Sequence, residues 1–405
     1  MPQKLYSLGL LVTSMAACAR TGTAERPVRP GIEVLLTDSV HLVRGRRLGI
    51  LTNQTGVDHT GTGDIELLRA AGLNLTAIFS PEHGFRGNLN RENIENAVDS
   101  ATGVPIFSLY GATRAPSAEM LAGIDVLLVD LQDIGARPYT YVSTTLLALR
   151  AAREHRRPVI VLDRPNPIGG DQVQGPTLDT AFSSFVGMLP VPLRHGLTLG
   201  ELARLGNERL EIGADLTVVP ADGWRRGQWF DQTGLRWVRP SPSMPDLGSA
   251  THYPGLVLFE GTNLSVGRGT PIAFQVLAAP WLDPRRVRAR VGATPGVVLR
   301  DTVITPVSPS DGKYPDRALP AIRLVVTSRG LYDPTRLAVQ LLSALQAVHR
   351  DAVRIDARVF DQRVGDDHLR RALARGMLPD SIWADWRAPL EKFRSARERY
   401  LLYGP

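Results

Sequence analysis

The sequence predicts an α/β protein, in which a doubly wound parallel-sheet domain over residues 31–222 precedes a smaller mixed α+β domain over residues 223–405. Three observations carry this prediction. After Pro30, short and nearly continuous apolar runs alternate with helical segments, as expected when helices cover both faces of a parallel sheet. Polar residues gather directly after each apolar run. Near Gly223 the pattern changes to Trp224, Trp229 and Trp237, the strip Pro240-Ser241-Pro242-Ser243-Met244-Pro245, and a group of strand-like runs followed by helices.

In chain order, the predicted strands of the first domain are 48–52, 75–79, 105–109, 125–129 and 158–162. Helices are predicted at 64–71, with Gly72 at its end, and at 140–153, where Val142, Leu146 and Leu149 share one face. A further helix at 199–210 starts after Thr198, and Glu201 completes a capping box. In the second domain, strands are expected at 255–259, 274–278, 297–300 and 322–327, and helices at 334–349 and 367–375.

The start of the chain reads as a targeting segment. Lys4 precedes an apolar run over 5–12, then Ala16-Ala17 and the single cysteine, Cys18. Residues 1–17 are therefore expected to be a lipoprotein-type signal peptide, Cys18 the lipidated end of the mature chain, and 18–30 a tether. The alternative is a plain signal cut nearby, with Cys18 incidental. No later stretch is long and apolar enough to span a bilayer. An exported protein anchored to the cell envelope through a lipid is the expectation.

Composition narrows the function. Of 405 residues, 43% are hydrophobic and 21% charged, which excludes a disordered chain. The 47 basic against 40 acidic residues give a net charge of +7 and invite a nucleic-acid reading. Yet Lys4, Lys313 and Lys392 are the only lysines and the arginines are scattered, as in a coding bias rather than a basic face. No nucleic-acid partner is expected. There is no Gly-x-Gly-x-x-Gly after the first strand, no phosphate-binding loop, no Gly-x-Ser-x-Gly elbow and no His-Glu-x-x-His pairing, so no cofactor or metal is expected. What remains is carboxylate chemistry at the strand exits. These read Thr52-Asn53-Gln54, Ser80-Pro81-Glu82-His83-Gly84, Asp130-Leu131-Gln132-Asp133 and Asp163-Arg164-Pro165-Asn166. In an open parallel sheet such exits share one edge, where ligands bind.

The segments Ser80 to Gly87, Asp130 to Tyr141, Leu162 to Pro167, Phe259 to Ser265 and Arg397 to Tyr403 resemble the signatures of the exo-acting β-N-acetylmuramidases, long grouped as a domain of unknown function. The resemblance runs from about Gly31 to Tyr403. It implies a Rossmann-like domain with a C-terminal domain completing the cleft, and hydrolysis of terminal N-acetylmuramic acid from peptidoglycan fragments. A non-catalytic wall-sugar-binding lipoprotein, or a hydrolase of another amino sugar, is the alternative.

Glycoside hydrolysis needs a proton donor and support for an oxocarbenium-like centre, most often from two carboxyls. Glu82 is the expected general acid, held between Pro81 and the turn at Gly84, with burial beside Phe85 available to raise its pKa. The second group is open among Asp130, Asp133, Glu260 and the substrate's own 2-acetamido group. The lactyl anion of muramic acid calls for a cation, and Arg86, Arg137, Arg164 and Arg268 lie in the matching motifs, with Arg86 and Arg268 leading. His83 is expected to orient Glu82 or to bind hydroxyls, Tyr139 and Tyr141 to stack on a sugar face, and Asn53, Asn166 and Asn263 to bond hydroxyls or the acetamido group.

Overall fold

A computed structural model of the chain describes residues 27–90 and 93–405; the expected signal peptide, Cys18 and most of the expected tether lie outside the described residues. From Pro27 the chain is already docked. Val28 is buried against Trp224 and Tyr403, and the backbones of Arg29 and Asp222 pair, so residues 27–30 belong to the folded body rather than to a tether.

The first body is a seven-stranded sheet. Its members are β1 (Arg47–Thr52), β2 (Asn74–Ser80), the short β3 (Ala97–Val98), β4 (Pro105–Ser108), β5 (Val126–Asp130), β6 (Val159–Leu162) and, after the hairpin β7 (Gln174–Thr177) and β8 (Pro192–Arg194), β9 (Leu216–Val219). The order is β3-β4-β2-β1-β5-β6-β9, and all neighbours run parallel except β3 on the edge. Counting parallel strands only, this is the 3-2-1-4-5-6 order of a Rossmann sheet, with its switch point between β1 and β5.

Side chains alternate across the sheet, as the two-residue period requires. Ile50, Ile78, Val126 and Leu128 face α1 (Gly31–Asp38) and α2 (Asp64–Ala70), the latter through Leu68. Phe79, Leu127, Val129 and Val161 belong to the opposite core with Leu146 and Leu149 of α4 (Tyr141–Glu154) and Leu202 and Leu205 of α5 (Leu199–Arg209). The small α3 (Ala118–Ala122) precedes β5. The capping box at α5 is formed: Thr198 Oγ1 accepts from the Glu201 amide at 3.3 Å, and Glu201 Oε2 accepts from the Thr198 amide at 3.0 Å.

The second body carries α6 (Leu247–Leu256), a three-stranded antiparallel sheet of β10 (Val276–Ala278), β11 (Val297–Ile304) and β12 (Leu319–Val326) in the order β10-β12-β11, α7 (Pro284–Val291) and α8 (Pro334–Val348) to α11 (Pro379–Arg397) by way of α9 (Ala357–Val364) and α10 (His368–Ala374). The strand expected at 255–259 is instead the end of α6 and a 3-10 turn over Val257–Gly261. That run is apolar and buried on all sides, so its periodicity cannot separate strand from helix; Asp246, accepting from the Ser249 amide at 2.9 Å, starts the helix.

The two bodies share one apolar core, which continues from Leu146 and Leu202 into Leu256, Phe259, Phe274 and Leu342. The chain end returns to the first body. Tyr403 packs edge-on against Trp224 at 4.8 Å and donates its hydroxyl to Asp163 at 2.7 Å, while Arg397 donates to the carbonyls of Gly170 and Gly196, both at 2.9 Å.

Candidate active site

At the carboxyl edge of the parallel sheet, where the second body leans over it, lies a cavity of about 360 Å3. That is within the usual range for a small-molecule site. Three segments furnish it: the exit of β2 (Glu82, His83), the exit of β5 running into α4 (Tyr139, Thr140, Tyr141), and residues of the second body, among them Tyr253, Glu260, Arg268, Asp311 and Arg363.

Glu82 is half-buried, and its Oε2 accepts from Thr140 Oγ1 at 2.6 Å. His83 has φ 71° and Gly84 φ 75°, so two left-handed residues in succession turn the chain sharply behind Glu82. The His83 ring faces the cavity and bonds the Leu89 carbonyl through Nδ1 at 2.8 Å; burial pushes its pKa down, toward the neutral form. Tyr141 donates to the Pro240 carbonyl at 2.6 Å and accepts from Asn53 Nδ2 at 2.7 Å. Burial raises the pKa of Tyr139, Tyr141 and Tyr253, so all three rings are neutral phenols. Tyr139 stands edge-on to Tyr141 at 4.9 Å and to Tyr253 at 5.9 Å, which makes one aromatic wall.

Glu260 lies opposite, between two guanidiniums. Arg268 donates to its Oε1 at 2.8 and 2.5 Å, and Arg363 Nε to its Oε2 at 3.0 Å. Burial favours the neutral acid, but the two cations win and hold the carboxyl at a pKa of about 2. Arg268 is further fixed by Ser243 at 2.9 Å and Ser310 at 3.3 Å. Asp311 also lines the cavity, and its Oδ2 is buried without a hydrogen-bond donor.

Of the residues expected from sequence, the structure brings together Glu82, His83, Tyr139, Tyr141, Glu260 and Arg268. The others serve elsewhere. Asp130 is fully buried and paired with Arg164, which also donates to the Val57 carbonyl at 2.8 Å; beside them Asp64 is held protonated-leaning by burial and by the charge of Asp130. This cluster fills the switch point of the sheet. Asp133 accepts from the Gly135 amide at 2.7 Å and faces the buried His195 at 3.6 Å. Asn53 folds its amide onto Thr55 and Tyr141, Asn166 ties Ile168 to Leu197, and Asn263 ties Ala352 to Arg354. Asp130, Asp133, Asn53, Asn166 and Arg164 are thus buried supports outside the cavity lining, and the half-buried Asn263 is a support outside it as well. Arg86 is exposed and lines a neighbouring groove.

Arg137 is buried outside the cavity but acts on it. Its guanidinium donates to the carbonyls of Pro176, Val191, Arg363 and Val364 at 3.0, 2.9, 2.9 and 2.5 Å, and so fixes the end of α9, which carries Arg363. Burial lowers its pKa to about 9. Arg363, Thr140, Tyr253 and Asp311 were not singled out by sequence. Thr140 stood inside a quoted motif, between the two named tyrosines; Arg363 and Asp311 sit in segments with no motif, and no sequence signal marks them. Among the described residues, no group of three or more His, Cys, Asp or Glu side chains is disposed to hold a metal ion.

The comparisons with known proteins agree with this geometry. The sequence matches the family profiles described as exo-β-N-acetylmuramidase NamZ, N-terminal, over residues 48–248, and exo-β-N-acetylmuramidase NamZ, C-terminal, over residues 251–403. It is similar to the peptidoglycan β-N-acetylmuramidase NamZ of Bacillus subtilis (strain 168), with 36% identity over 400 residues, covering 97% of this chain and 96% of the relative. Two solved structures of DUF1343 family proteins from Bacteroides fragilis NCTC 9343 have similar folds. One gives a TM-score of 0.86 at 34% identity, covering 93% of this chain and 99% of the other. The second gives 0.74 at 33% identity, covering 94% and 99%.

Proposed function

The chain belongs to the exo-β-N-acetylmuramidase family, a family of glycoside hydrolases, and we propose that it releases terminal N-acetylmuramic acid from peptidoglycan fragments with Glu82 as the general acid. The observation that supports this most directly is one cavity holding Glu82 opposite two arginines that an ionised Glu260 orients.

Thr140 donates to Oε2 of Glu82, which leaves Oε1 as the oxygen that would face the glycosidic oxygen. The lactyl carboxylate of muramic acid meets Arg268 and Arg363. Arg363 commits Nε to Glu260 and Nη1 to the Val359 carbonyl, which leaves Nη2 for the ligand. The aromatic wall of Tyr139 and Tyr253 offers a face to the sugar ring.

Glu260 is a poor base and a poor nucleophile, because two guanidiniums hold its charge and its pKa is about 2. The nucleophile is then the substrate's own acetamido oxygen, which bonds to C1 as the C1–O bond to the leaving sugar breaks and Glu82 gives that oxygen its proton. Asp311 lines the cavity with Lys313 Nζ 4.0 Å from its Oδ2, and with no hydrogen bond made by that oxygen it is suited to accept the acetamido N–H. In the second half, water attacks C1 as the C1–O bond to the acetamido oxygen breaks and Glu82 takes a proton from the water, so the anomeric configuration is retained.

The test is Glu82→Gln assayed on N-acetylmuramyl-N-acetylglucosamine. Turnover should fall by about 10²–10⁴-fold, the usual contribution of a general acid, while the affinity for N-acetylmuramic acid stays within a few-fold. Unchanged turnover overturns the assignment, and an inverted product anomer in early NMR spectra of the wild type overturns substrate assistance.

The proposal extends to the start of the chain, on sequence alone. Cys18 carries the lipid that holds the enzyme in the cell envelope. Recovery of the full-length protein in the membrane fraction, lost in Cys18→Ala, supports this; equal membrane recovery of the two overturns it.

A further inference from the structure

A second groove of about 510 Å3 adjoins the catalytic cavity. Arg86, Arg236 and Arg239 edge it, Trp237 forms part of its wall, and Gln54 and Gly87 form its floor. Two segments join groove and cavity. The loop after β2 places Glu82 and His83 in the cavity and Arg86 and Gly87 in the groove. The strip after Leu235 runs along the groove and ends at Ser241, which lines both.

The groove is built, not incidental. Gln54 Nε2 donates to the Arg239 carbonyl at 2.7 Å, and the Tyr141 hydroxyl donates to the Pro240 carbonyl at 2.6 Å, so the strip is fastened to two strand exits of the sheet. Gly87 has φ 63°, and a Cβ there would lie 1.9 Å from the Gln54 amide; only glycine leaves the floor open.

Its charge is one-sided. Arg86, Arg236 and Arg239 are exposed, and among the described residues no carboxylate lines the groove and none of the three guanidiniums has an ion-pair partner. Arg268 and Arg363, a few residues into the cavity, are both paired with Glu260. Three unpaired cations along one groove repel one another and attract an anionic ligand.

We propose that this groove is a subsite for the leaving portion of the substrate, and that it reads a carboxylate carried by the second sugar beyond the cleaved bond. The inference rests on the muramidase reading given above. In a glycan of alternating N-acetylglucosamine and N-acetylmuramic acid, the residue after the cleaved bond is neutral and the next is a muramic acid again. That residue bears either a free lactyl carboxylate or a stem peptide with carboxylates of its own. Guanidiniums bind both through paired hydrogen bonds, and the half-buried Trp237 ring offers the sugar an apolar face. The groove thus makes the enzyme prefer longer, charged fragments over the shortest one.

The experiment compares three substrates on the purified enzyme: the disaccharide N-acetylmuramyl-N-acetylglucosamine, its tetrasaccharide with free lactyl groups, and the tetrasaccharide with a stem peptide on its second muramic acid only. Wild type should favour at least one tetrasaccharide in kcat/KM, through KM, and added NaCl should shrink that preference. Arg236→Gln/Arg239→Gln should lower the tetrasaccharide-to-disaccharide ratio of kcat/KM by about fivefold, in line with the modest worth of solvent-facing ion pairs. Loss on the bare tetrasaccharide identifies the lactyl carboxylate, and loss only on the peptide-bearing one identifies the stem. A ratio within twofold of wild type in the variant, or a wild type that favours the disaccharide, overturns the proposal. A wild type that cleaves none of the three overturns the muramidase reading instead.

Discussion

Glu82 and Glu260 show how two carboxylates in one cavity come to do different work. Glu82 has a single hydroxyl donor and a free oxygen, whereas both oxygens of Glu260 are occupied by guanidiniums. Glu260 therefore acts as the anchor that aims Arg268 and Arg363. Glu260→Gln keeps the shape but removes the charge that gathers them. We expect KM for the disaccharide to rise about tenfold with kcat changed much less, since the loss is in ground-state binding. A kcat loss as large as that of Glu82→Gln would show that Glu260 takes part in the chemistry. At this scale the sequence was informative where a residue lay in or beside a long motif: Glu82, Tyr139, Tyr141 and Glu260 line the cavity, as does Arg268 three residues beyond Ser265. It was uninformative about role, because Asp130 and Asp133 share motifs of the same kind and are buried supports.

Elements place these residues through contacts between segments distant in the chain. The end of α9 is pinned by Arg137, whose buried guanidinium serves four carbonyls and leaves no room for a side chain at Gly365, where a Cβ would lie 2.6 Å from Nη2. Arg137→Met removes the donor that these carbonyls share, and of them Val191 keeps the Leu178 amide at 3.3 Å. Hydrogen bonds to charged groups contribute about 1.5–3 kcal/mol each, and burying the charge offsets part of that. We expect a loss of about 2–4 kcal/mol in urea unfolding together with a higher KM, because Arg363 loses its fixed backbone. Wild-type stability in this variant would remove Arg137 from that role. The strands of the first body were legible as apolar runs, and the start of α5 from Thr198 and Glu201. Residues 255–259 were not, because a fully buried run carries no period.

The whole molecule unfolds as one body if its shared core governs cooperativity, and its pH response reports the buried groups on both sides of that core. His252 is neutral in the fold, its pKa pushed down to about 3 by burial. An unfolded histidine takes a proton near pH 6.5, so the unfolded state binds more protons between these values and stability is lost as pH falls through that window. Glu260 adds a further loss between its ordinary value and about 2. Asp163, raised to about 6 by burial, works in the opposite direction: its protonated form suits the fold, so it costs stability as pH rises from about 4 to 6. The histidine and the aspartate offset each other over that shared range. The net expectation is a shallow stability profile from pH 6 to 4 and a steep loss below 4. Urea midpoints at pH 7, 5 and 3.5 check it, and a steep fall between 6 and 5 would contradict the raised pKa of Asp163.

The sequence by itself determined the alternation of strands and helices, the helix caps and the family, and it singled out Glu82 as the candidate acid, because these depend on local pattern and on motifs read along the chain. Only the tertiary structure decided which charged groups face the cavity and which are paired away from it. Arg86 stands four residues from Glu82 yet opens onto the neighbouring groove, while Arg363, far away in sequence, reaches Glu260 at 3.0 Å. A charged side chain takes its role from the carboxylates, carbonyls and solvent around it, and those neighbours are assembled by chain segments that no local pattern connects.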